Sequence, residues 1–573
     1  MLFTSSEPDI DQLTSLPVPR DITVWDWLFT SPTSSPLHRH AGNLAGYTNA
    51  TTKERLDWQQ VKDAATHLST ALVRDHGLKE GQTVALFSPN TIWYPVAMFA
   101  TLRVGGVVSG ASPAYNVEEM AYALRTGGAK FLMTHPASME VAKKAAAEAG
   151  IPKENLFLLE GKLEGYKSIQ DLIASGEKQG EKGQVQSFKI PKGKTNFDVC
   201  GFLSFSSGTT GLPKAVMIAH QNAIAQCLQM QKLTPSTHKK VLAVLPLFHI
   251  TGLVHALHLP VLINADVIMQ PMFTMESMLD TVVEYQIKEL LLVPPILIRL
   301  VRDPLVDKYD LSFLERFSSG AAPLSEEIIQ ELQRKFPHTG FKQGYGMTES
   351  CSCITAHPPD KFSYDYAHRV GTIVPSTTVK LLRPDGSLCG RNEPGEICAK
   401  GPQIVMGYLN NDKATRETFG SDGFLHTGDQ GMIDDEGFIT ITDRIKEMIK
   451  VKGIGVAPAE LEDLLLGHEL VEDVAVLSVP DDWSGERPKA YVVLKPSVAK
   501  GSDEAKLQEV GRTLLQYVKD NKVRHKHVTE IEFADEIPKS ASGKILRRVL
   551  RDREKQSGPR GVVVKDEKRK AKL

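Results

Sequence analysis

The chain has 573 residues, of which 41% are hydrophobic and 24% are charged, and its formal net charge at pH 7 is -2. These values are typical of a soluble globular protein, and the length predicts several structural units because it exceeds what one hydrophobic core supports. A nearly balanced charge argues against nucleic acid as an electrostatic partner.

The cysteines and the apolar segments indicate an intracellular protein. The six cysteines lack the spacing of a disulfide framework or a metal site, so we expect reduced thiols. Residues 1–15 carry acidic side chains and no long apolar run, unlike a secretory signal. The most apolar region, residues 241–269, contains prolines, histidines, Asn264 and Asp266. It therefore predicts buried strands and turns, and no transmembrane segment.

Strand and helix patterns alternate in the first part of the chain. Strands are predicted over 83–87, 106–112 and 130–134, and helices over 91–104 and 117–125. Further strands are predicted over 241–245, 288–293, 313–319 and 342–344. This alternation predicts an α/β fold with parallel sheets covered by helices.

The pattern changes twice in the second part of the chain. Short runs broken by glycine-containing turns predict antiparallel strands over 379–439. After a boundary at 443–446, a compact α+β unit is predicted, with helices over 458–466 and 503–519 and strands over 471–480, 490–495 and 530–533. We therefore divide the chain into residues 1–443, 444–555 and a basic tail, 556–573.

A glycine-rich loop lies in SFSSGTTGLPKAV, residues 204–216. Such a loop gathers backbone N–H groups and hydroxyls, and its lysine adds a positive charge, so it predicts phosphate binding. Its spacing fits neither a Walker A loop nor a dinucleotide fingerprint. The candidate phosphate ligands are Ser206, Ser207, Gly208, Thr209, Thr210 and Lys214.

Five more motifs follow in order: SSGAAPL (318–324), QGYGMTES (343–350), HTGDQG (426–431), DRIKEMIKVKGIGVAPAELE (443–462) and PKSASGK (538–544). With the glycine-rich loop, they closely resemble the adenylate-forming superfamily, and most of all its 4-coumarate–CoA ligase branch. The resemblance implies a large N-terminal domain with doubly wound, mostly parallel sheets plus a distorted β-barrel, and a small mobile α+β C-terminal lid.

The resemblance also implies roles for single residues around ATP. The glycine-rich loop would hold the β- and γ-phosphates, Tyr345 would stack on adenine, and Thr348 would contact the α-phosphate. Glu349 would bind Mg²⁺, although such an acid taken alone is more often a surface or capping residue. Asp429 and Arg444 would contact the ribose. Ala321, Gln343 and Gly344 complete the nucleotide-binding set.

Several lysines of the lid have implied roles of their own. Lys544 would be the principal catalytic cation, and Lys446 would lie at the hinge. Lys450 would lie near the nucleotide, and Lys452 and Gly453 would contact coenzyme A. On composition alone, all these lysines could belong to a solvated charged face. The chain also departs from its relatives at 455, where it has glycine in place of glutamine.

The acyl substrate is defined less sharply. His249 would flank the acyl channel, although a packed core histidine is the plain alternative. Thr251, Ser352 and Cys353 replace residues of the hydroxycinnamate pocket, so that pocket is not reproduced. We therefore expect an aliphatic or arylalkyl, hydrophobic monocarboxylic acid as the small-molecule substrate.

The function implied by the resemblance is ATP-dependent acyl-CoA ligation through an acyl-adenylate, with ATP, Mg²⁺ and coenzyme A. The alternatives are a stand-alone adenylating enzyme that serves a carrier protein, a luciferase-like oxygenase, and a non-catalytic nucleotide-binding protein. The intact Thr348, Glu349, Asp429, Arg444 and Lys544 argue against the last of these.

The chain ends in Ala571-Lys572-Leu573 on a basic segment. This ending is similar to the Ser-Lys-Leu peroxisomal address, so we expect recognition by a peroxisomal import receptor. A frayed, charged C-terminus that happens to end in leucine is the alternative.

Overall fold

The computed structural model of the chain describes residues 1–4, 16–206, 213–322, 324–481, 484–500, 502–540, 543–557 and 559–566. Within these ranges, the chain is α/β, as predicted, with five sheets flanked by helices. None of the described helices is both long enough and apolar enough to span a bilayer.

The largest sheet has seven strands and contains the predicted βαβ units. Its strand order is Gly407–Tyr408, Lys214–Ala219, Cys200–Ser206, Val107–Ala111, Thr83–Phe87, Ala129–Thr134 and Leu156–Leu158. The last five strands run parallel, and the second strand, Lys214–Ala219, is antiparallel to both of its neighbours. The longer helices of this region are Trp58–Arg74, Trp93–Arg103, Val117–Thr126, Met139–Ala149, Ile169–Glu177 and His220–Lys232. The elements predicted over 83–134 are confirmed.

Two smaller sheets continue the N-terminal domain. One has the order Lys240–Ala243, Asp266–Met269, Gly46–Asn49 and Arg55–Asp57. The other has the order Glu289–Leu292, Arg316–Ser319, Gly340–Met347, Ser352–Ala356 and Thr372–Ile373, with its first three strands parallel. Nearby helices are Met275–Tyr285, Pro294–Arg302 and Glu326–Lys335.

The apolar region 241–269 is partly helical, which corrects the prediction of strands and turns. Its ends are strands, but Ile250–Gly252, Leu253–His258 and Leu259–Ile263 are successive helical segments. Most of their side chains are buried. A helix that is apolar on most sides lacks the 3.6-residue periodicity, so sequence alone does not separate it from buried strands.

The antiparallel strands predicted over 379–439 form a five-stranded sheet of order Leu2–Thr4, Thr378–Leu382, Gly395–Lys400, Leu425–Ile433 and Ile439–Arg444. In the described residues its two outer strands do not pair, so the expected distorted barrel is here an open sheet.

The C-terminal lid is the predicted α+β unit. Its sheet contains Ile449–Val451, Ile454–Val456, Val471–Asp481, Gly485–Leu494, Glu530–Phe533 and Val563–Lys565. Its longer helices are Pro458–Leu466, Glu504–Asn521 and Arg547–Ser557. The last strand lies in the segment predicted as a basic tail; it joins the lid because Val564 is buried against the sheet.

The chain leaves the antiparallel sheet after Arg444 and enters the lid sheet at Ile449. The predicted boundary at 443–446 therefore falls where the chain crosses between two separate sheets. Rotation at this place stays a prediction.

The remaining helical segments are short. The α-helices are Val24–Phe29, Pro36–Arg39, Gly180–Gly183, Asp412–Thr418 and Pro496–Ala499. The 3-10 helices are Pro136–Ser138, Lys153–Asn155, Pro304–Lys308, Thr348–Ser350, Pro359–Lys361, Tyr364–Tyr366 and Arg524–Lys526.

Candidate active site

Two adjoining cavities bring most of the predicted residues together. The first, which we call the interdomain cleft, has a volume of about 1110 Å³ and lies between the N-terminal domain and the lid. The second, the inner cavity, has a volume of about 890 Å³ and reaches into the N-terminal domain. The residues that line both include Ala321, Gln343, Gly344, Arg444 and Lys544. These residues mark the junction of the two cavities.

The glycine-rich loop begins and ends at the inner cavity. Ser206 and Lys214 lie opposite each other in an antiparallel strand pair and line this cavity. Ser207, Gly208, Thr209 and Thr210 lie outside the described residues. The Lys214 ammonium lies over the ring of Tyr408, 4.5 Å from its centroid. The Tyr408 hydroxyl in turn donates a hydrogen bond to Glu349 Oε1 at 2.8 Å, so both ends of the loop lie beside the candidate metal ligand.

Thr348 and Glu349 lie in the 3-10 helix Thr348–Ser350, directly after the strand Gly340–Met347. A Cβ atom at Gly346 would lie 1.7 Å from the carbonyl oxygen of Ser352, so this close approach requires glycine. Glu349 is buried, and its Oε2 has no hydrogen-bond partner among the described residues. A buried carboxylate oxygen left in this way fits a hard divalent cation, because burial without a partner is costly.

Asp429 lies between two other predicted nucleotide ligands. The Tyr345 hydroxyl donates to Asp429 Oδ2 at 2.7 Å, and Arg444 Nε lies 3.4 Å from Asp429 Oδ1. Asp429 and Arg444 are also paired across adjacent antiparallel strands. Because the strand pairing places both charges at one point, the pair can offer a carboxylate and a guanidinium to the hydroxyls of a ribose.

The backbone is unusual at Ala321, one of the predicted nucleotide-binding residues. Ala321 has a φ of 69°, in the left-handed region that side chains other than glycine seldom adopt. Gln343 is buried, and its side-chain amide donates to the carbonyl of Ala367. This hydrogen bond fixes the side chain of Gln343, which lines both cavities together with the small residues Gly344 and Ala321.

Lys544 is brought from the lid to the junction of the two cavities. The backbone N–H of Ser540 donates to the Lys544 carbonyl at 2.8 Å, and the Lys544 N–H donates to Ser540 Oγ at 3.2 Å. Gly543 has a φ of 80°, and a Cβ there would lie 2.8 Å from Pro295 of the N-terminal domain. Glycine thus permits both this turn and its close approach to the other domain.

The pKa of Lys544 is lowered to about 8, mainly by burial and then by the charge of Arg444. The carboxylates of Asp429 and Glu349 act in the opposite direction. The ammonium is therefore close enough to the nucleotide-side groups to interact with all three.

His249 lines the inner cavity, and its Nδ1 accepts a hydrogen bond from the Thr251 backbone N–H at 3.4 Å. Burial, and then the charge of Lys544, lower the pKa of His249 to about 4. The imidazole is therefore neutral at pH 7.

The other predicted lid residues are separated in space. Lys446 lines the inner cavity, whereas Lys450 is exposed and lines neither cavity. Lys452 and Gly453 form an exposed two-residue turn with φ of 53° and 80°, the pattern of a tight hairpin. They also lie outside both cavities. In this arrangement, the predicted coenzyme A contacts and the catalytic lysine therefore do not share a site.

Sequence reasoning missed two parts of the site. Tyr408 supports Glu349, but a lone tyrosine carries no motif. A buried polar group that includes Glu289, Lys342 and His255 lines the inner cavity. Its only sequence signal is a charged residue at the start of the apolar run 289–293.

Comparison with known proteins gives a consistent result. Residues 37–409 match the model of the AMP-binding enzyme family, and residues 460–544 match that of the AMP-binding enzyme C-terminal domain. The chain is 35% identical to 4-coumarate–CoA ligase-like 1 of Arabidopsis thaliana, over 94% of this chain and 95% of that protein. It is 36% identical to 4-coumarate–CoA ligase 5 of Oryza sativa subsp. japonica, over 91% and 95%.

Solved structures also share the fold. ATP-bound MatB from Rhodopseudomonas palustris is 25% identical with a TM-score of 0.80, covering 94% of this chain and 99% of MatB. The anthranilate–CoA ligase AuaEII, in complex with anthranoyl-AMP, has a TM-score of 0.81 at 24% identity, over 94% and 98%.

The lowered pKa of Lys544 predicts that ATP binding takes up a proton. With a pKa of about 8, half of these side chains are neutral at pH 8 before binding, and the phosphates favour the charged form. Binding at pH 8 should therefore take up about half a proton more than in Lys544→Met, and this difference should vanish at pH 6.5. Calorimetric titration in buffers of different ionisation enthalpy measures the number of protons taken up on binding. Equal uptake by both proteins at pH 8 would contradict the assignment.

Proposed function

The chain belongs to the AMP-binding enzyme family, and we propose that it is an ATP-dependent acyl-CoA ligase that activates a hydrophobic carboxylic acid. One observation carries the proposal: Lys544 of the lid lies at the junction of the interdomain cleft and the inner cavity, in the electrostatic range of Glu349, Asp429 and His249. The curated relatives named above are CoA ligases, which favours this function over carrier-protein loading or an oxygenase reaction.

In the first half-reaction, a carboxylate oxygen of the acid attacks the α-phosphorus of ATP. An O–P bond forms, the bond to the β-phosphate breaks, and pyrophosphate leaves with the electron pair. Negative charge increases on the α-phosphoryl oxygens, where the Lys544 ammonium and the Thr348 hydroxyl stabilise it. Ser206 and Lys214 hold the outgoing phosphates, and Asp429 accepts hydrogen bonds from the ribose.

Mg²⁺ fits the same site through Glu349. Its Oε2 is the buried carboxylate oxygen that lacks a partner among the described residues, while Tyr408 fixes the other oxygen. When bound with ATP, the ion would offset phosphate charge.

In the second half-reaction, the sulfur of coenzyme A attacks the acyl carbonyl carbon. A thioester bond forms, AMP leaves with the electrons of the broken C–O bond, and the thiol proton passes to solvent. Lys544 then has to withdraw, because the thiol needs access to the same carbonyl. Lys452 and Gly453 lie on the same lid, so rotation near Lys446 would exchange one face for the other.

The lining of the inner cavity supports a hydrophobic acyl group. Its apolar side chains include Met230, Leu233, Val241, Phe248, Ile250, Leu259 and Leu291. Ser352 and Cys353, which depart from the hydroxycinnamate pattern, line the same cavity. The acid is therefore expected to differ from 4-coumarate in the shape of its acyl group.

The reaction products test the proposed function directly. Incubation with ATP, Mg²⁺, coenzyme A and a panel of hydrophobic acids should release AMP and pyrophosphate in equal amounts with acyl-CoA. Ion-exchange chromatography of the nucleotides and mass spectrometry of the thioester measure them. ADP and phosphate as the stoichiometric products would refute the proposal.

The two half-reactions should respond differently to two substitutions in the lid. Lys544→Ala should slow acyl-AMP formation by about a hundredfold or more, because it removes the cation from the developing charge. It should leave CoA transfer to supplied acyl-AMP largely intact. Lys446→Pro should have the opposite bias, because proline restricts the backbone at the proposed hinge. Lys446→Ala serves as its matched control. Equal slowing of both half-reactions by both substitutions would contradict the alternating lid.

We also propose that the enzyme acts in peroxisomes, on the basis of Ala571-Lys572-Leu573, which lie outside the described residues. A fluorescent reporter that carries the last twelve residues should enter peroxisomes, because the import receptor reads a C-terminal tripeptide. The same reporter without its final leucine is the control. A diffuse cytosolic signal from the complete reporter would contradict this location.

A further inference from the structure

The inner cavity has a charged group on one wall that adenylation does not use. Lys342 Nζ lies 2.5 Å from Glu289 Oε1, and the Ser318 hydroxyl donates to the same oxygen at 2.9 Å. Arg316 Nε donates to Glu289 Oε2 at 2.9 Å, and His238 Nδ1 lies 3.5 Å from that atom. We call these five side chains the inner cluster. Glu289, Ser318, Lys342 and His238 line the inner cavity.

Strand register fixes the inner cluster at a distance from the nucleotide. Leu291, Ser318 and Lys342 lie side by side on three parallel strands, and Glu289 is two residues before Leu291, so all four share one face. The opposite face packs into a hydrophobic core. Along the third strand, Gly346 lies four residues beyond Lys342, which is about 13 Å of extended chain. The inner cluster therefore lies well away from Thr348 and Glu349.

Glu289 of the inner cluster stays ionised although it is buried. Burial alone would raise the pKa of Glu289, yet the neighbouring cations, above all Lys342, hold it well below its usual range. Glu289 keeps Arg316 and Ser318 as partners independently of Lys342. Lys342 has three N–H donors, and Glu289 is the acidic partner that the described residues offer it. The Lys342 ammonium also lies over the ring of Phe362, 5.0 Å from its centroid. A ring face is only a weak hydrogen-bond acceptor, so N–H donors of Lys342 remain for a ligand in the cavity.

A purely apolar acyl group would be a poor match for this wall. It would displace water from the Lys342 ammonium without replacing the lost hydrogen bonds, and such a group is costly to leave unpaired. A second carboxylate would lie beside the ionised Glu289 and be repelled by it. A neutral oxygen that accepts from Lys342 has neither disadvantage.

We propose that the preferred acyl substrate carries a hydroxyl group at the end remote from its carboxylate, and that this hydroxyl accepts a hydrogen bond from Lys342. The middle of such an acid contacts the apolar lining of the inner cavity. This inference rests on the proposed ligase function and makes Lys342 a specificity-determining residue for it.

Pairs of acids that differ only in the remote group test this inference. Octanoate, 8-hydroxyoctanoate and octanedioate form one series, and 3-phenylpropanoate with its 4-hydroxy derivative forms another. The wild-type protein should use the hydroxyl-bearing member of at least one series with a kcat/KM about 10- to 100-fold above that of its plain counterpart, because the hydrogen bond involves a charged donor. Lys342→Met should reduce this ratio to about one, and Lys342→Gln, which keeps an N–H donor, should restore part of it.

The comparison within each variant controls for incomplete folding, since both acids meet the same preparation. Lys288→Met is the matched control: Lys288 precedes Glu289, is exposed, and pairs with Glu315 outside the cavity. It should keep the wild-type ratio.

Four results would overturn the inference. Turnover of the acids without a preference for the hydroxyl, or a preference unchanged in Lys342→Met, would remove it while leaving the ligase function intact. A preference for octanedioate would show that the remote end of the cavity binds an anionic group and not a hydroxyl. Absence of AMP formation with every acid would instead refute the proposed function, and the inference with it.

Discussion

Adenylation requires a positive charge at the α-phosphate, and the proposed source of that charge, Lys544, lies on a domain separate from most of the other candidate nucleotide ligands. The side chain lies at the junction of two cavities, and burial lowers its pKa to about 8. The ammonium is thus held where it is partly desolvated, and an anionic substrate restores its preference for the charged form. The placement of Lys544 depends on the turn at Gly543, because this turn brings the lid backbone against Pro295 of the N-terminal domain.

The nucleotide-side groups are fixed before any substrate binds. Asp429 is held by Tyr345 and Arg444, and Glu349 by Tyr408, so the acceptors for ribose and metal do not have to be reoriented during reaction. Such preorganisation is the main way in which a protein stabilises developing charge. The positive φ of Ala321, and the approach of Gly346 to Ser352, show that the backbone takes uncommon conformations at this same place.

The two cavities differ in what they select. The candidate nucleotide ligands divide between the two cavities: Tyr345 and Asp429 line the interdomain cleft, whereas Ser206, Lys214, Thr348 and Glu349 line the inner cavity. The inner cavity adds apolar side chains and four members of the inner cluster. Because the inner cluster lies well away from Thr348 and Glu349, the acyl-binding end of the cavity can change while the candidate nucleotide ligands stay the same.

The sequence by itself determined the family, the α/β fold and most of the order of elements, and it supplied the candidate nucleotide ligands. Strands such as Thr83–Phe87 could be predicted from local hydrophobic periodicity. The candidate nucleotide ligands could be predicted because each motif is a short, continuous segment of the chain. It did not determine the helical state of 250–263, because a segment buried on most sides has no periodicity to read. The antiparallel strands were predictable, but whether their outer strands meet depends on pairing between distant segments. Only the tertiary structure placed Glu289 beside Lys342, since their strands lie more than fifty residues apart in the chain but on either side of the strand Arg316–Ser319 in one parallel sheet. Tertiary structure also separated Lys452 from Lys544: Lys544 lines both cavities, whereas Lys452 lies on a part of the lid that lines neither.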